Sequence, residues 1–403
     1  MGDVTLAEKQ LRIAVTELAV GMYITSFDRQ NQLISIANSG QLRSQADIET
    51  LLSSGVEYVW VDLARSKASV VLLYQANSVS CHFSTDAKTR FVKKIGISRE
   101  AAQIKAGELL SESKRLIQKV LFETFEGKAI EISPFETLAD NMINMMLQDH
   151  DALSCMSALR SKDAYLLEHS VNVAFLLVTF GRYLTLEQPI LKQLVIGGIL
   201  HDIGKIRVDI KVLNKPGKLT AAEFEHIKLH QNYAIDILDN IQGLSQVSKD
   251  ICLMHHEKLD GKGYPRGLVA EQISLHGRMS CIVDIFDALT ANRSYKEAMS
   301  PAAAFKILLS LTPFHLDKDL VYDFIRCVGI YPVGSLVELS NGLVGIVWEA
   351  NKRDALHPIV KCFYSVLNRR YVNVTMIDLL KSDLYIERGL VSTSLDIDPT
   401  PFY

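Results

Sequence analysis

The chain has 403 residues, of which 48% are hydrophobic and 22% charged. That balance excludes a disordered or fibrous protein, and at about 100–200 residues per domain the length calls for several domains. A net charge of −3 excludes a global basic field for a nucleic-acid polymer or an anionic membrane, so an anionic ligand must meet a local site. Residues 1–75 mix period-two apolar stretches around Gly21, a short amphipathic helix over 47–53 and a strong strand over 56–63. Together these predict a small α+β domain. Residues 76–139 hold a polar linker (77–97) and a long helix (98–125), followed by an interruption at Pro134. Helical periodicity resumes over 135–159. Residues 140–331 are predicted as an all-α domain, with helices over 164–184, 191–203, 221–241, 246–256, 274–291 and 301–311. Residues 332–403 turn to strands, with Asn341-Gly342 marking a hairpin. The predicted fold is mainly α: a helical bundle with a small α+β N-terminal domain and a small β C-terminal extension.

The six cysteines are scattered and none forms a CxxC pair, which reads as reduced thiols in a cytoplasmic protein. The first residues carry acidic side chains and no apolar core, so no signal peptide is expected. The longest apolar runs, 171–180 and 194–200, fall short of the roughly 20 residues a membrane span needs.

Seven of the 11 histidines fall between residues 169 and 276, all within the predicted helical domain. The candidate ligands are His169, the pair His201-Asp202, His230, the pair His255-His256, and Asp284. Seven donors exceed the three or four protein ligands of one ion, so the set suits two metals. Asp202, lying between histidines, is placed to bridge them with its two oxygens. Nitrogen and oxygen donors without thiolate favour iron or manganese. His226, among Glu223, Glu225 and Lys228, and His276 read as bystanders.

These residues carry a resemblance to the HD-GYP subgroup of HD-superfamily phosphohydrolases. It rests on His169-Ser170, on His201-Asp202-Ile203-Gly204-Lys205, on His230 and on His255-His256-Glu257. It continues through Asp260-Gly261-Lys262-Gly263-Tyr264-Pro265 and through Asp284-Ile285-Phe286-Asp287-Ala288-Leu289-Thr290 to Arg293, Tyr295 and Lys296, covering about residues 140–330. The first 75 residues resemble the small domain often fused to this module, and residues 331–347 its β extension.

The resemblance implies an HD-type bundle and a cytoplasmic cyclic di-GMP phosphodiesterase that produces linear pGpG, and in some members GMP. It implies one metal on His169, His201, Asp202 and Asp284, and a second on Asp202, His230, His255 and His256. A third metal would use a glutamate one turn before His169; that position is Tyr165, so two ions are expected. Two positions depart from the family pattern, Gln231 for proline and Ala234 for glycine. Both are expected to reshape backbone, not to ligate. Asp202 and Lys205 are the expected catalytic residues, Lys205 holding a phosphate oxygen or orienting the attacking water. Tyr264, Arg293 and Lys296 are expected to bind substrate, the arginine by its bidentate match to phosphate. Asp287 is expected to support the site without ligating. Alternatives are 3′3′-cyclic GMP-AMP as substrate, and a non-hydrolytic cyclic-dinucleotide receptor or scaffold. A generic HD nucleotidase needs neither the second histidine set nor the Asp260–Pro265 loop. The N-terminal domain shows no catalytic constellation and is expected to serve homodimerisation or docking of a signalling partner.

Overall fold

The computed structural model describes residues 10–29, 32–35, 40–54, 56, 58–62, 65–67, 99–157, 165–213, 215, 217–291, 298–351, 354–391, 395 and 397–403. They fall into two compact units, Met1–Ser80 and Cys81–Tyr403.

In the first unit, β1 (Gln10–Ala14), β2 (Ile24–Arg29), β3 (Gln32–Ser35) and β4 (Tyr58–Asp62) form an antiparallel sheet in the order β1-β4-β2-β3. The alternation in Tyr-Val-Trp-Val-Asp buries Val59 and Val61 on one face of β4. Helix α1 (Gln45–Ser53) starts at a capping box, where the Asp47 carboxylate accepts from the Ser44 amide at 3.0 Å.

The second unit is mainly α. Helices α2 (Arg99–Phe125) and α3 (Ser133–Ser157) pack side by side, with Pro134 in the first turn of α3, where a missing N–H costs nothing. The bundle continues with α4 (Tyr165–Tyr183), α5 (Gln188–Leu200), a 3-10 turn (Ile203–Arg207), α6 (Ile210–Leu213), α7 (Ala221–Lys228) and α8 (His230–Asp239). Then come α9 (Gln246–Met254), α10 (Leu275–Thr290), α11 (Pro301–Ser310) and α12 (Lys318–Val328). Phe180, Phe286, Phe305 and Phe324 meet ring to ring and tie α4, α10, α11 and α12 together.

The chain closes with β5 (Leu336–Leu339), β6 (Leu343–Glu349), β7 (Ile359–Ser365), β8 (Arg370–Asp378) and β9 (Ile386–Leu390), in sheet order β8-β7-β6-β5-β9. Its core holds Leu336, Val344, Ile346, Phe363 and Leu390. The Asn341-Gly342 turn joins β5 to β6 as expected, with Gly342 at φ +76°.

Candidate metal centre

Helix ends deliver most of the candidate ligands. His201 and Asp202 follow the last residue of α5, His230 is the first residue of α8, and His255 and His256 follow α9. Only His169, on α4, and Asp284, on α10, lie inside helices. The sequence periodicity predicts one helix over 191–203 and another over 221–241. The structure ends the first at Leu200 and breaks the second at Leu229. Gly204 gives the reason for the first difference: a Cβ there would lie 1.9 Å from the His230 carbonyl oxygen. The backbone therefore passes against α8 in a tight turn that only glycine permits.

Three imidazoles are oriented alike. The Nδ1 of His201 lies 2.8 Å from the Gly198 carbonyl, that of His230 2.7 Å from Ile227, and that of His255 2.9 Å from Cys252. A carbonyl only accepts, so each Nδ1 carries the proton and each Nε2 presents a lone pair. The Nδ1 of His169 instead donates to the Asp287 carboxylate at 2.7 Å. Asp287 thus holds a ring without pointing into the cluster.

The Nε2 atoms of all four rings converge on Asp202. Its Oδ2 lies 3.3 Å from His201 Nε2 and 3.6 Å from His169 Nε2, and it accepts from the Lys205 ammonium. Its Oδ1 lies 3.6 Å from His230 Nε2 and 3.8 Å from His255 Nε2 and has no hydrogen-bond partner. Asp284 adds Oδ1 at 3.1 Å from His169 Nε2 and Oδ2 at 4.0 Å from His256 Nδ1. Two donor groups result, His169–His201–Asp202 and Asp202–His230–His255–His256, each with ligand atoms within 4.8 Å of one another. Acceptors that face acceptors in a buried site need a cation between them. The orphaned Oδ1 of Asp202 is the observation that fits these residues to a metal.

The charge states favour binding. Burial alone would raise the Asp202 carboxyl, but the Lys205 ammonium outweighs it and holds it well below the usual range. Asp284 is likewise held low against burial by His169. Burial pushes His255 well down and His256 down to about 3, and lowers His230, so these rings are neutral. His169 differs: Asp284 and Asp287 outweigh burial and raise it to about 9.

Tyr264 stacks on His256, with ring centroids 4.6 Å apart and planes at 25°, and burial pushes its phenol up. The loop that carries it is anchored by Glu257, whose carboxylate accepts from the Arg266 amide at 2.8 Å and the Leu268 amide at 2.9 Å. A Cβ on Gly263 would lie 2.4 Å from Glu257 Cα, so this glycine allows the loop to close on its anchor. In the sequence Glu257 stands out only as part of a motif. Its signal was a carboxylate directly before a glycine-rich loop full of backbone donors.

Gln231, expected to reshape backbone, also brings its side chain to the rings. It is fully buried, and its amide Nε2 lies 2.8 Å from His230 Nε2 and 3.3 Å from His255 Nε2. Its side chain is therefore in the cluster. His226 accepts from the Asp209 amide, and His276 is half-buried on α10; neither belongs to the donor groups. Arg293 and Lys296 lie outside the described residues. Beside Asp202 and Lys205 lies a cavity of about 260 Å³, walled by Ile117 and Val120 of α2 and by Leu200, Ile203 and Ile206.

The HD domain model matches residues 146–320, and a domain of unknown function (DUF3391) matches residues 10–135. A cyclic di-GMP phosphodiesterase of Pseudomonas aeruginosa is 34% identical over 375 residues, covering 91% of this chain and 88% of that protein. The chain belongs to the HD-GYP family of HD domains. Within the family, a 3′3′-cGAMP-specific phosphodiesterase of Vibrio cholerae is 41% identical over 123 residues, 30% of this chain and 24% of that one. A solved HDG"Y"P protein of Bdellovibrio bacteriovorus covers 79% of this chain and 98% of its own, at 14% identity and a TM-score of 0.47. An HD domain implies dependence on divalent metal, which the paired donor groups suit.

Proposed function

We infer that this HD-GYP chain is a phosphodiesterase that hydrolyses cyclic di-GMP to linear pGpG, and onward to GMP if the linear product rebinds. The observation that carries the reading is Asp202, whose two oxygens face two separate imidazole groups in a chain similar over 91% of its length to a cyclic di-GMP phosphodiesterase.

Two ions, iron or manganese by donor chemistry, would be held by His169, His201, Asp202 and Asp284 and by Asp202, His230, His255 and His256. When bound, such a pair lowers the pKa of a water and offsets phosphate charge. The chain's own residues do the rest. Asp202 keeps both sites at one spacing. Lys205, drawn to Asp202 Oδ2, would have its ammonium beside a phosphate bound at the ions and could bind a phosphate oxygen or hold the attacking water. Tyr264, flat against His256, offers a ring face to a guanine. Arg293 and Lys296 would grip the second phosphate.

We place the enzyme in the cytoplasm: Cys252, Cys281, Cys327 and Cys362 form no disulfide, which suits a reducing compartment. None of the described helices is long and apolar enough to cross a membrane. Residues 1–75 would serve homodimerisation or docking of a signalling partner.

The test is a chromatographic assay of the anaerobically purified chain, with metal content measured on the same sample. Cyclic di-GMP and 3′3′-cyclic GMP-AMP are supplied in parallel. Linear pGpG should form with iron or manganese, and Asp202→Ala, which removes the ligand common to both sites, should lower turnover more than about 100-fold. No linear product from the metal-loaded chain would refute the reading, as would near-normal turnover in Asp202→Ala.

A further inference from the structure

We propose that Gln231 is itself a metal ligand, its side-chain oxygen joining His230, His255, His256 and Asp202 Oδ1 around the second ion; this rests on the two-ion reading above. Among the described residues, three buried side-chain polar atoms lack a hydrogen-bond partner: Trp60 Nε1, Asp202 Oδ1 and Gln231 Oε1. Two of the three belong to this one cluster. A buried amide whose NH₂ is engaged and whose oxygen is orphaned is only half satisfied.

The hydrogen bonds show what the amide is doing. His230 and His255 present Nε2 lone pairs, because their Nδ1 protons go to Ile227 and Cys252 carbonyls. The two N–H bonds of Gln231 Nε2 reach those lone pairs at 2.8 and 3.3 Å. A cation claiming the same lone pairs takes away both acceptors. Half a turn about the last side-chain torsion then exchanges oxygen for nitrogen in nearly the same volume. The oxygen comes to lie where the nitrogen was, 2.8 and 3.3 Å from the two imidazole nitrogens. Donors each about 2.1 Å from one ion sit roughly 3–3.6 Å from one another. Asp202 Oδ1 lies at and just beyond the upper end of that range from the same nitrogens, at 3.6 and 3.8 Å.

The chemistry of the donor is distinctive. An amide oxygen is hard and neutral, which suits manganese or ferrous iron and leaves the ion's charge for the substrate. A rival role for the same amide is a plug that competes with the ion; the two differ in sign.

The test uses the full-length chain, stripped of metal and titrated with Mn²⁺ by equilibrium dialysis, with free Mn²⁺ read by electron paramagnetic resonance. His230→Ala identifies which binding step belongs to this side. Gln231→Met, similar in volume but without the oxygen, should weaken that step at least about tenfold and leave the other unchanged. Gln231→Glu should restore or tighten it. Unchanged or tighter binding in Gln231→Met overturns the assignment. Should Gln231→Met fail to fold, Gln231→Glu decides, and a weakened second site there overturns it. A wild-type chain that binds fewer than two ions fails the two-ion reading and this assignment together; two wild-type ions with an indifferent Gln231→Met fail this assignment alone.

Discussion

His169 carries a charge that its neighbours His230, His255 and His256 lack, and the reason is its two carboxylates. Burial opposes the charge, while Asp284 and Asp287 outweigh burial and raise the pKa from 6.5 to about 9. A divalent ion binds the neutral ring, so loading at neutral pH must expel this proton. Metal affinity of the His169 side should therefore rise about tenfold per pH unit until the pH passes about 9. Isotherms of Mn²⁺ binding across that range check the slope. The sign for stability is the opposite. In the metal-free chain the raised pKa contributes stability that is complete below about 6.5 and is lost as pH climbs through about 9. Melting of the metal-free chain, followed by circular dichroism, should accordingly decline over that window. At this scale the imidazoles and carboxylates were legible because few residues do what they do, and their crowding is visible in a plain count. Gln231 was not, because a glutamine in a helix carries no signal of its own. Only the burial of its amide against two lone pairs reveals it.

Elements place these residues by where they stop. The 3.6-residue period predicts α5 well through its buried face, but periodicity does not see that the chain tightens into a 3-10 turn after Leu200. Nor does it see the single-residue break at Leu229 that makes His230 the start of a helix. Turn chemistry was more legible: the Asn341-Gly342 hairpin and the glycine-rich Asp260–Gly267 loop stand where those residue types demand. Gly204 controls the tight turn, since a methyl group there meets the His230 carbonyl. Gly204→Ala should cost about 1–3 kcal/mol of stability by overpacking. It should also weaken the ion held by His230 more than the one held by His169. Denaturant unfolding and the two Mn²⁺ binding steps read these effects separately.

The whole helical unit depends on a helix that supplies no ligand. Helix α2 packs on α3, on α4 and on the 3-10 turn, and Lys114 pairs with Glu168, the neighbour of His169, at 2.7 Å. Ala106, Leu109, Leu110, Ile117 and Val120 of α2 are buried. A chain confined to residues 146–320, the span of the HD domain match, lacks all of them. At about 1.5–3 kcal/mol per large buried apolar side chain, and 2–4 °C per kcal/mol, that chain should melt about 10 °C or more below one begun at residue 99. Calorimetry of the two metal-loaded chains makes the comparison.

The cavity beside Asp202 and Lys205 has Ile117 and Val120 of α2 on one side, yet the match to the domain of unknown function runs from residue 10 to 135 and claims that helix. The family match and the packing thus divide the chain in different places. A recombination that swaps N-terminal modules between relatives at residue 135 hands the recipient a foreign wall for its own metal centre. A crossover before Arg99 leaves the wall with the centre it fits. The first matched module and the catalytic body are joined through the side chains of a single helix.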